Sequence, residues 1–383
     1  MTANHARLSP VVYIHRSLHR TCAAFFAIVL FGAAFTAQAQ TPAPSVSLTP
    51  APAISLPGGV DSNSPAVWDR VDGVETLQVV TSFAGQPRLA SGRRLGRLGP
   101  ASPVTFVTHP GDGVWMESVV VDEGGTWYGY YHNEVPATVC GRPTLTLPRI
   151  GAARSRDNGG TWEDLGIVLE APPGWHDCAT PNQYFVGGVG DVSALLDRES
   201  KDLYLYFSQY SKYAAAQGVA LARLAWADRD SPAGKVTVFN DGVWLPATRV
   251  TTEDEGGAAR TTWVHSFGTP LVPATRPWHD DDPDDDAFWG ASVHWNVSLQ
   301  LYVMLLNRTK DEQFSQEGVY VSFASRLDDP AAWSTPMKIV DGGSWYPQVI
   351  GIETGEGSDK QAGARARLFM GGRSTQFIEF NAR

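Results

Sequence analysis

The chain has 383 residues, 40 of them Asp or Glu against 30 Lys or Arg, for a formal net charge of −10. With 43% hydrophobic and only 18% charged residues it can build a sizeable core, unlike a disordered chain, and its acidic balance lacks the concentrated basic surface a nucleic-acid partner demands. The 38 Gly, 26 Pro and 13 Trp favour tight turns and aromatic surfaces over long helices. Residues 1–39 read as a signal peptide: Arg7, Arg16 and Arg20 precede an apolar run from Ala23 to Ala34, and Ala37-Gln38-Ala39 forms an A-x-A cleavage site. The run is shorter than the roughly 20 residues a bilayer span requires, which disfavours a permanent anchor. The expectation is a periplasmic or secreted protein with no membrane association once the signal is cleaved. Cys22 leaves with it, so Cys140 and Cys178 remain, either as one disulfide or as two separate buried thiols. Residues 40–59 are rich in Pro, Ala and Ser and read as an extended linker, with the folded domain at 60–383.

Beyond Val60 a single unit recurs, a short apolar strand, a turn often rich in Asp and Gly, and a second strand, usually aromatic. It appears as Ser64–Trp68 with Leu77–Thr81, Glu117–Val121 with Trp127–Tyr131, and Asp191–Leu196 with Leu203–Phe207. It returns as Ala291–Trp295 with Leu301–Leu306, and as Pro347–Gly351 with Ala366–Met370. Strand composition and turn chemistry make each a hairpin. Further strands follow at Ile150–Ser155, Gly218–Arg223 and Gly318–Ser322. Repeating units of three or four strands predict an all-β fold, a five-bladed β-propeller.

Ser155-Arg156-Asp157-Asn158-Gly159-Gly160-Thr161-Trp162 matches the Asp-box pattern S-x-D-x-G-x-T-W of sialidase-type propellers, a hairpin turn whose role is structural. The blade layout, with Ser325–Pro330 and Trp333 as a blade-edge segment, resembles the five-bladed superfamily of arabinanases, xylosidases, invertases and levansucrases. That resemblance implies a glycoside hydrolase acting on carbohydrate. The chain departs from it in two places. Ser64, not Asp, precedes Pro65, and the fourth unit reads Trp289-Gly290-Ala291 with no Glu. Asp191 alone stands where the superfamily's third-blade Asp belongs.

In a blade, the start of the first strand and the end of the second share one face. This collects Asp61, Asn63, Trp115, Glu117, His132, Asn133, Glu134, Asp191, Ser208, Tyr210, Trp289, Asn307, Arg308, Trp345, Tyr346 and Arg373. Glycoside cleavage needs one carboxylic acid to protonate the leaving oxygen and a second carboxylate to activate water or attack the sugar. Glu117 and Glu134 are the candidate acid/base pair, Asp191 a group that orients substrate or tunes a neighbour, and Asp61 a base from the first blade. Asn63, Trp115, His132, Tyr210, Trp289, Arg308, Trp345 and Tyr346 are candidates for binding the sugar through aromatic faces and hydrogen bonds. Asp61 and Asp191 could equally cap turns, Trp345 and Tyr346 could pack a core, and His294 alternates with apolar neighbours as a core histidine does.

The acidic loop His279–Asp286 could bind Ca²⁺ through oxygen ligands, but it lacks the EF-hand's Gly and terminal Glu spacing and reads first as a solvated loop. No zinc cluster, phosphate loop or GxSxG elbow is present, so no other cofactor is expected. Two further readings stay open. A sialidase-like hydrolase would need an arginine cluster, drawn from Arg308, Arg373 and Arg88, and an activated tyrosine. A non-catalytic carbohydrate-binding propeller would need only the binding groups.

Overall fold

The computed structural model describes residues 44–108, 110–111, 113–199, 201–253, 259–280 and 285–382. Each expected hairpin forms, and the first shows why. Ala66–Val71 turns into Val74–Phe83 through Asp72 and Gly73, both at positive φ (51° and 76°), the twist a two-residue hairpin turn requires. The inner two strands of the other blades are Gly113–Val121 with Trp127–Ala137, Val189–Leu196 with Asp202–Gln209, Phe288–Asn296 with Leu301–Thr309, and Gln348–Gly351 with Arg365–Met370. Additional strands extend the sheets outward, and Gln361–Ala362 from the blade 5 segment pairs with the innermost strand of blade 4, giving five blades of four or five strands; the hairpin Thr248–Glu253/Ala259–Val264 stands apart from them. Among the described residues the only helices are short 3-10 turns. The fold is an all-β, five-bladed β-propeller.

The core lies between neighbouring blades, because each sheet has two apolar faces to bury. Val80 and Val67 of blade 1 pack on Met116 and Trp162 of blade 2, and Tyr130 of blade 2 joins Leu205 and Phe207 of blade 3. Tyr206 meets Met304 across blades 3 and 4, Val303 meets Leu368 across blades 4 and 5, and Phe369 meets Leu77 across blades 5 and 1.

Around the axis, polar side chains join blade to blade. Ser82 Oγ accepts the Met116 N–H (2.9 Å), Ser118 Oγ accepts the Ala194 N–H (2.9 Å), and Ser193 Oγ accepts the Val293 N–H (3.0 Å). Ser292 donates to the Pro347 carbonyl (2.8 Å), and the Gln348 amide closes the circle on the Ser64 backbone (2.9 and 3.0 Å).

The linker reading of 40–59 is corrected by the structure over the described residues 44–59. Ser45–Ser55 is not a tether but a strand, paired antiparallel with Arg373–Asn381 as the outermost strand of blade 5. Val46 and Leu48 pack against the blade 4–blade 5 core, and Ile54 against that of blades 5 and 1. The prolines are tolerated because an edge strand leaves one row of N–H groups unpaired; the register slips between Pro50 and Ile54. The signal-peptide reading of 1–39 falls outside the described residues.

The Asp-box segment is a turn at the outer edge of blade 2. Asp157 accepts from the Thr161 N–H and hydroxyl (both 2.8 Å), Ser155 Oγ accepts the Gly159 N–H (3.0 Å), and Trp162 Nε1 donates to the Gly159 carbonyl (2.9 Å).

Candidate active site

The inner strands of blades 2, 3 and 4 each carry one extra residue at the same level, shifting register between Met116 and Ser118, Gly190 and Ser193, and Trp289 and Ser292. A β-bulge re-aims side chains locally. In blade 2 the bulge contributes Glu117, and in blade 3 it contributes Asp191, held at φ 45°. In blade 4 that place belongs to Gly290 (φ 58°), where a Cβ would stand 2.5 Å from Asn307 Nδ2, so blade 4 supplies no carboxylate.

The bulges of blades 2 and 3 flank His132, which lies opposite Trp115 on the second strand of blade 2. His132 Nδ1 is 3.7 Å from Asp191 Oδ1 and 4.0 Å from Glu117 Oε1, and Nε2 is 3.6 Å from Glu134 Oε1. Glu117 and Asp191 are each 2% exposed and His132 is 4% exposed, whereas the Glu134 side chain is 26% exposed and Asp61 is half-buried. Glu117 accepts the Val192 N–H, and Tyr210 donates its hydroxyl to Asp191. The two buried carboxylates are thus fixed behind the ring, and Asp61 and Glu134 stand at the open edge.

The electrostatics follow. Burial pushes the Glu117 carboxyl well above its ordinary range and Asp191 adds to it, against the opposing pull of His132 and the Val192 N–H. Asp61 is pushed up to about 6, first by burial and then by the charges of Glu134 and Asp191, while His132 and a hydrogen bond from Trp115 oppose. Glu134 is raised by burial above all, with His132 and the Thr146 hydroxyl drawing it down. For His132, burial disfavours the charged ring, but Asp191, Glu117 and Glu134 together outweigh it and hold the pKa at about 9. His132 Nδ1 accepts the Asp191 N–H (3.2 Å), and the carboxylates of Asp191 and Glu134 stand 3.7 and 3.6 Å from the two ring nitrogens, near enough to favour the charged ring.

Glu117, His132 and Asp191 each bring one ligand atom within 4.8 Å of the others, a spacing that suits a divalent cation. A proton on His132 and a cation would compete for the same ring nitrogens and carboxylates. Cys140 and Cys178 are joined as a disulfide, so they offer His176 no thiolate partners for a metal. Of the acidic loop, 281–284 lie outside the described residues; Asp286 caps the Thr275 N–H (2.9 Å) and hydroxyl (2.7 Å).

Several candidates meet at this place. Trp115 stands edge-on to His132 at 5.8 Å between ring centroids, and Trp289, Trp345 and Tyr346 pack together at 5.6 to 6.4 Å. Tyr346, at φ 56°, is kept protonated by burial and by the charges of Asp191 and Asp61. Asn63 is 2% exposed and donates to the Ala291 carbonyl (2.9 Å), which makes it a tie between blades 1 and 4. Asn133 likewise bonds the Gly111 and Gly113 carbonyls, and Ser208 accepts the Gly290 N–H.

Arg308 is not brought in: its guanidinium lies toward Glu317 (4.0 Å) and over the Phe288 ring (5.8 Å). Arg373 is exposed in the strand beside Ser55, and Arg88 pairs with Pro103 in blade 1. The arginines of the sialidase-like reading are therefore not gathered, and burial with Asp191 raises the Tyr210 phenol's pKa, the reverse of activation. Sequence reasoning missed Tyr184, Phe185 and Phe314. Phe185 covers Tyr210 at 4.5 Å and His132 at 5.9 Å, and Tyr184 lies edge-on to Trp345 at 5.6 Å. The one sequence signal for Tyr184 and Phe185 was the cysteine pair, which ties down the loop that bears them, and Phe314 had none.

No protein-family model matches the sequence, and no curated protein matches it. Among solved structures the chain is similar to the endo-arabinase from Bacteroides thetaiotaomicron VPI-5482, at 11% identity and a TM-score of 0.46 over 86% of this chain and 97% of that one. It is similar to a thermostable family-43 glycoside hydrolase, at 10% identity and a TM-score of 0.42 over 85% and 91% of the two chains. It is similar also to the alpha-L-arabinanase of Penicillium chrysogenum complexed with arabinobiose, at 12% identity and a TM-score of 0.41 over 84% of each chain. The blade count given above rests on this chain's own strand pairing.

Proposed function

We propose that this protein is an exported glycoside hydrolase that cleaves poly- or oligosaccharides by carboxylate acid–base chemistry. The observation that carries the reading is the pair Asp61 and Glu134, two carboxylates with raised proton affinity at the open edge of a buried acidic cluster, flanked by Trp115, Tyr184 and Tyr346. A pair of interacting carboxyls whose surroundings differ supplies one acid and one base. Asp61, which keeps its proton up to about pH 6, donates it to the leaving oxygen as the glycosidic C–O bond breaks. Glu134, facing the imidazolium, takes a proton from the water that adds to the anomeric carbon, or attacks that carbon itself and is released by water in a second step. Glu117 and Asp191 act through His132, by holding its charge and ring orientation. Asp61 thereby becomes the acid rather than the base, and Glu117 a positioning residue.

Export is supported by the leader pattern of residues 1–39 and by the Cys140–Cys178 disulfide, a bond that oxidising compartments favour. The reading places the mature protein in the periplasm or outside the cell. The test is product release from a panel of arabinan, xylan, levan and their oligosaccharides. Asp61→Asn and Glu134→Gln, each still folded, are expected to lose about 10²–10⁴-fold in turnover. A wild type that binds a sugar yet releases nothing from the panel would hand the site to the carbohydrate-binding alternative.

A further inference from the structure

We propose that the loop 170–188 closes one side of this site into a dead-end pocket, so that the protein acts on the end of a saccharide chain and not on its interior. The inference rests on the glycosidase reading and specifies its substrate class.

The loop leaves blade 2 after Leu169 and re-enters the propeller at Val189 of blade 3. Uncommonly long for a connection without strands of its own, it is tied down on two sides. Midway along it the Cys140–Cys178 disulfide fastens it to the blade 2 hairpin extension, and Arg142 donates to the carbonyls of Cys178 (3.2 Å) and Thr180 (2.6 Å). At its far side it is clasped to blade 4: the Gln183 N–H donates to Gln313 Oε1 (3.1 Å), and Gln313 Nε2 donates to the Pro181 carbonyl (3.0 Å). Just beyond these ties Phe185 lies on Tyr210 of blade 3, on His132 of blade 2 and, at 5.8 Å, on Phe314 of blade 4. Tyr184 continues the cover to Phe314 (5.9 Å) and to Trp345 of blade 5 (5.6 Å).

A polymer lying across the face of a propeller must leave it on two sides. Here the side of blades 3 and 4 is occupied by Phe185, Phe314 and Tyr184 as one aromatic wall, fixed by a covalent bond and a two-way amide clasp. Asp61, Trp115 and Glu134, from blades 1 and 2, lie on the other side. A sugar that reaches both carboxylates has its next ring position taken by Tyr184, which is 39% exposed and ends the pocket. The wall is pinned to blade 2 as well, by a parallel bridge between Phe185 and Thr146, whose N–H donates to the Tyr184 carbonyl (2.8 Å) and whose carbonyl accepts the Val186 N–H (3.0 Å).

The test uses the purified protein with debranched arabinan, xylan and levan, following viscosity against reducing ends, and Glu134→Gln for binding of oligosaccharides blocked at one end or the other. The wild type is expected to release one short product size from the first time point with viscosity falling in step. A block at the recognised end is expected to weaken binding by about tenfold or more. The Tyr184→Ala/Gln313→Ala variant, with the disulfide kept, is expected to yield a ladder of intermediate products and to bind the blocked chain nearly as well as the free one. A wild-type ladder with an early collapse of viscosity, or binding blind to blocks at both ends, overturns the dead-end pocket and leaves the glycosidase reading standing. Absence of any sugar binding overturns both.

Discussion

Glycine at position 190 and the bulge at Asp191 leave His132 just enough room, since a Cβ at 190 would stand 2.5 Å from the ring's Nδ1 and Cε1. The ring is therefore held among Asp61, Glu117, Glu134 and Asp191, and its pKa rises from 6.5 to about 9. A group whose pKa is raised on folding stabilises the fold fully below its unfolded value, and that stability is lost as pH climbs through the folded value. For His132 the window is pH 6.5 to 9, and the shift corresponds to on the order of 3 kcal/mol. Asp61 has the same sign in a lower window, its contribution present below 3.8 and lost as pH rises through about 6. The melting temperature is thus expected to fall as pH rises from 6.5 to 9 in the wild type, and to fall much less in His132→Gln. A wild-type melting temperature flat across that range would contradict the charged ring. From the sequence, His132-Asn133-Glu134 already stood out at the end of an aromatic strand. What remained hidden was which acids are buried: Glu117 and Glu134 looked equivalent, yet one lies behind the ring and the other at the opening.

That difference comes from the bulges, which carry no residue signature of their own. One extra residue in an inner strand reverses the faces of everything beyond it. Strict alternation therefore assigns Glu117 and Asp191 incorrectly relative to their neighbours, and only the strand pairing reveals the slip. The Asp-box turn, in contrast, was fully legible, because its hydrogen bonds join residues within a few positions of each other. The serines after the bulges form the other hidden feature. Ser118 and Ser193 look like small polar breaks in apolar strands, but each satisfies a buried N–H of the next blade. Removing either hydroxyl strands a buried donor, at a cost of about 1–3 kcal/mol. Ser118→Ala and Ser193→Ala are each expected to lower the urea midpoint accordingly with little change in slope. Ser47→Ala, on the exposed face of the outermost strand, should stay within about 0.5 kcal/mol of wild type. Equal effects at all three positions would remove the case for a hydrogen-bonded ring around the axis.

Five hairpins could be read from the chain because each pairs residues close in sequence; the closure of the ring could not, because Ser45 pairs with Asn381. Its Pro/Ala/Ser composition also disguised the closing strand, since prolines are excluded from central strands but not from edges. Yet this strand decides whether the propeller is a ring. Without Ser45–Ser55, the strand Arg373–Asn381 loses its outer partner and presents an unpaired edge, and Val46, Leu48 and Ile54 withdraw from the cores on both sides of blade 5. Full burial of each such side chain contributes about 1.5–3 kcal/mol. Even with partial burial, three of them plus the ladder amount to on the order of 5 kcal/mol, against a net stability of about 5–15 kcal/mol for an ordinary domain. A chain starting at residue 60 is therefore expected to be aggregated, or to unfold at a much lower urea concentration than one starting at residue 44. The exposed edge would be the route to association, as unpaired strands recruit one another. If the shorter chain kept the same midpoint and remained monomeric, the inter-blade hydrogen bonds around the axis would have to hold the ring by themselves. Ser118→Ala in the shorter chain would then be far more damaging than in the longer one.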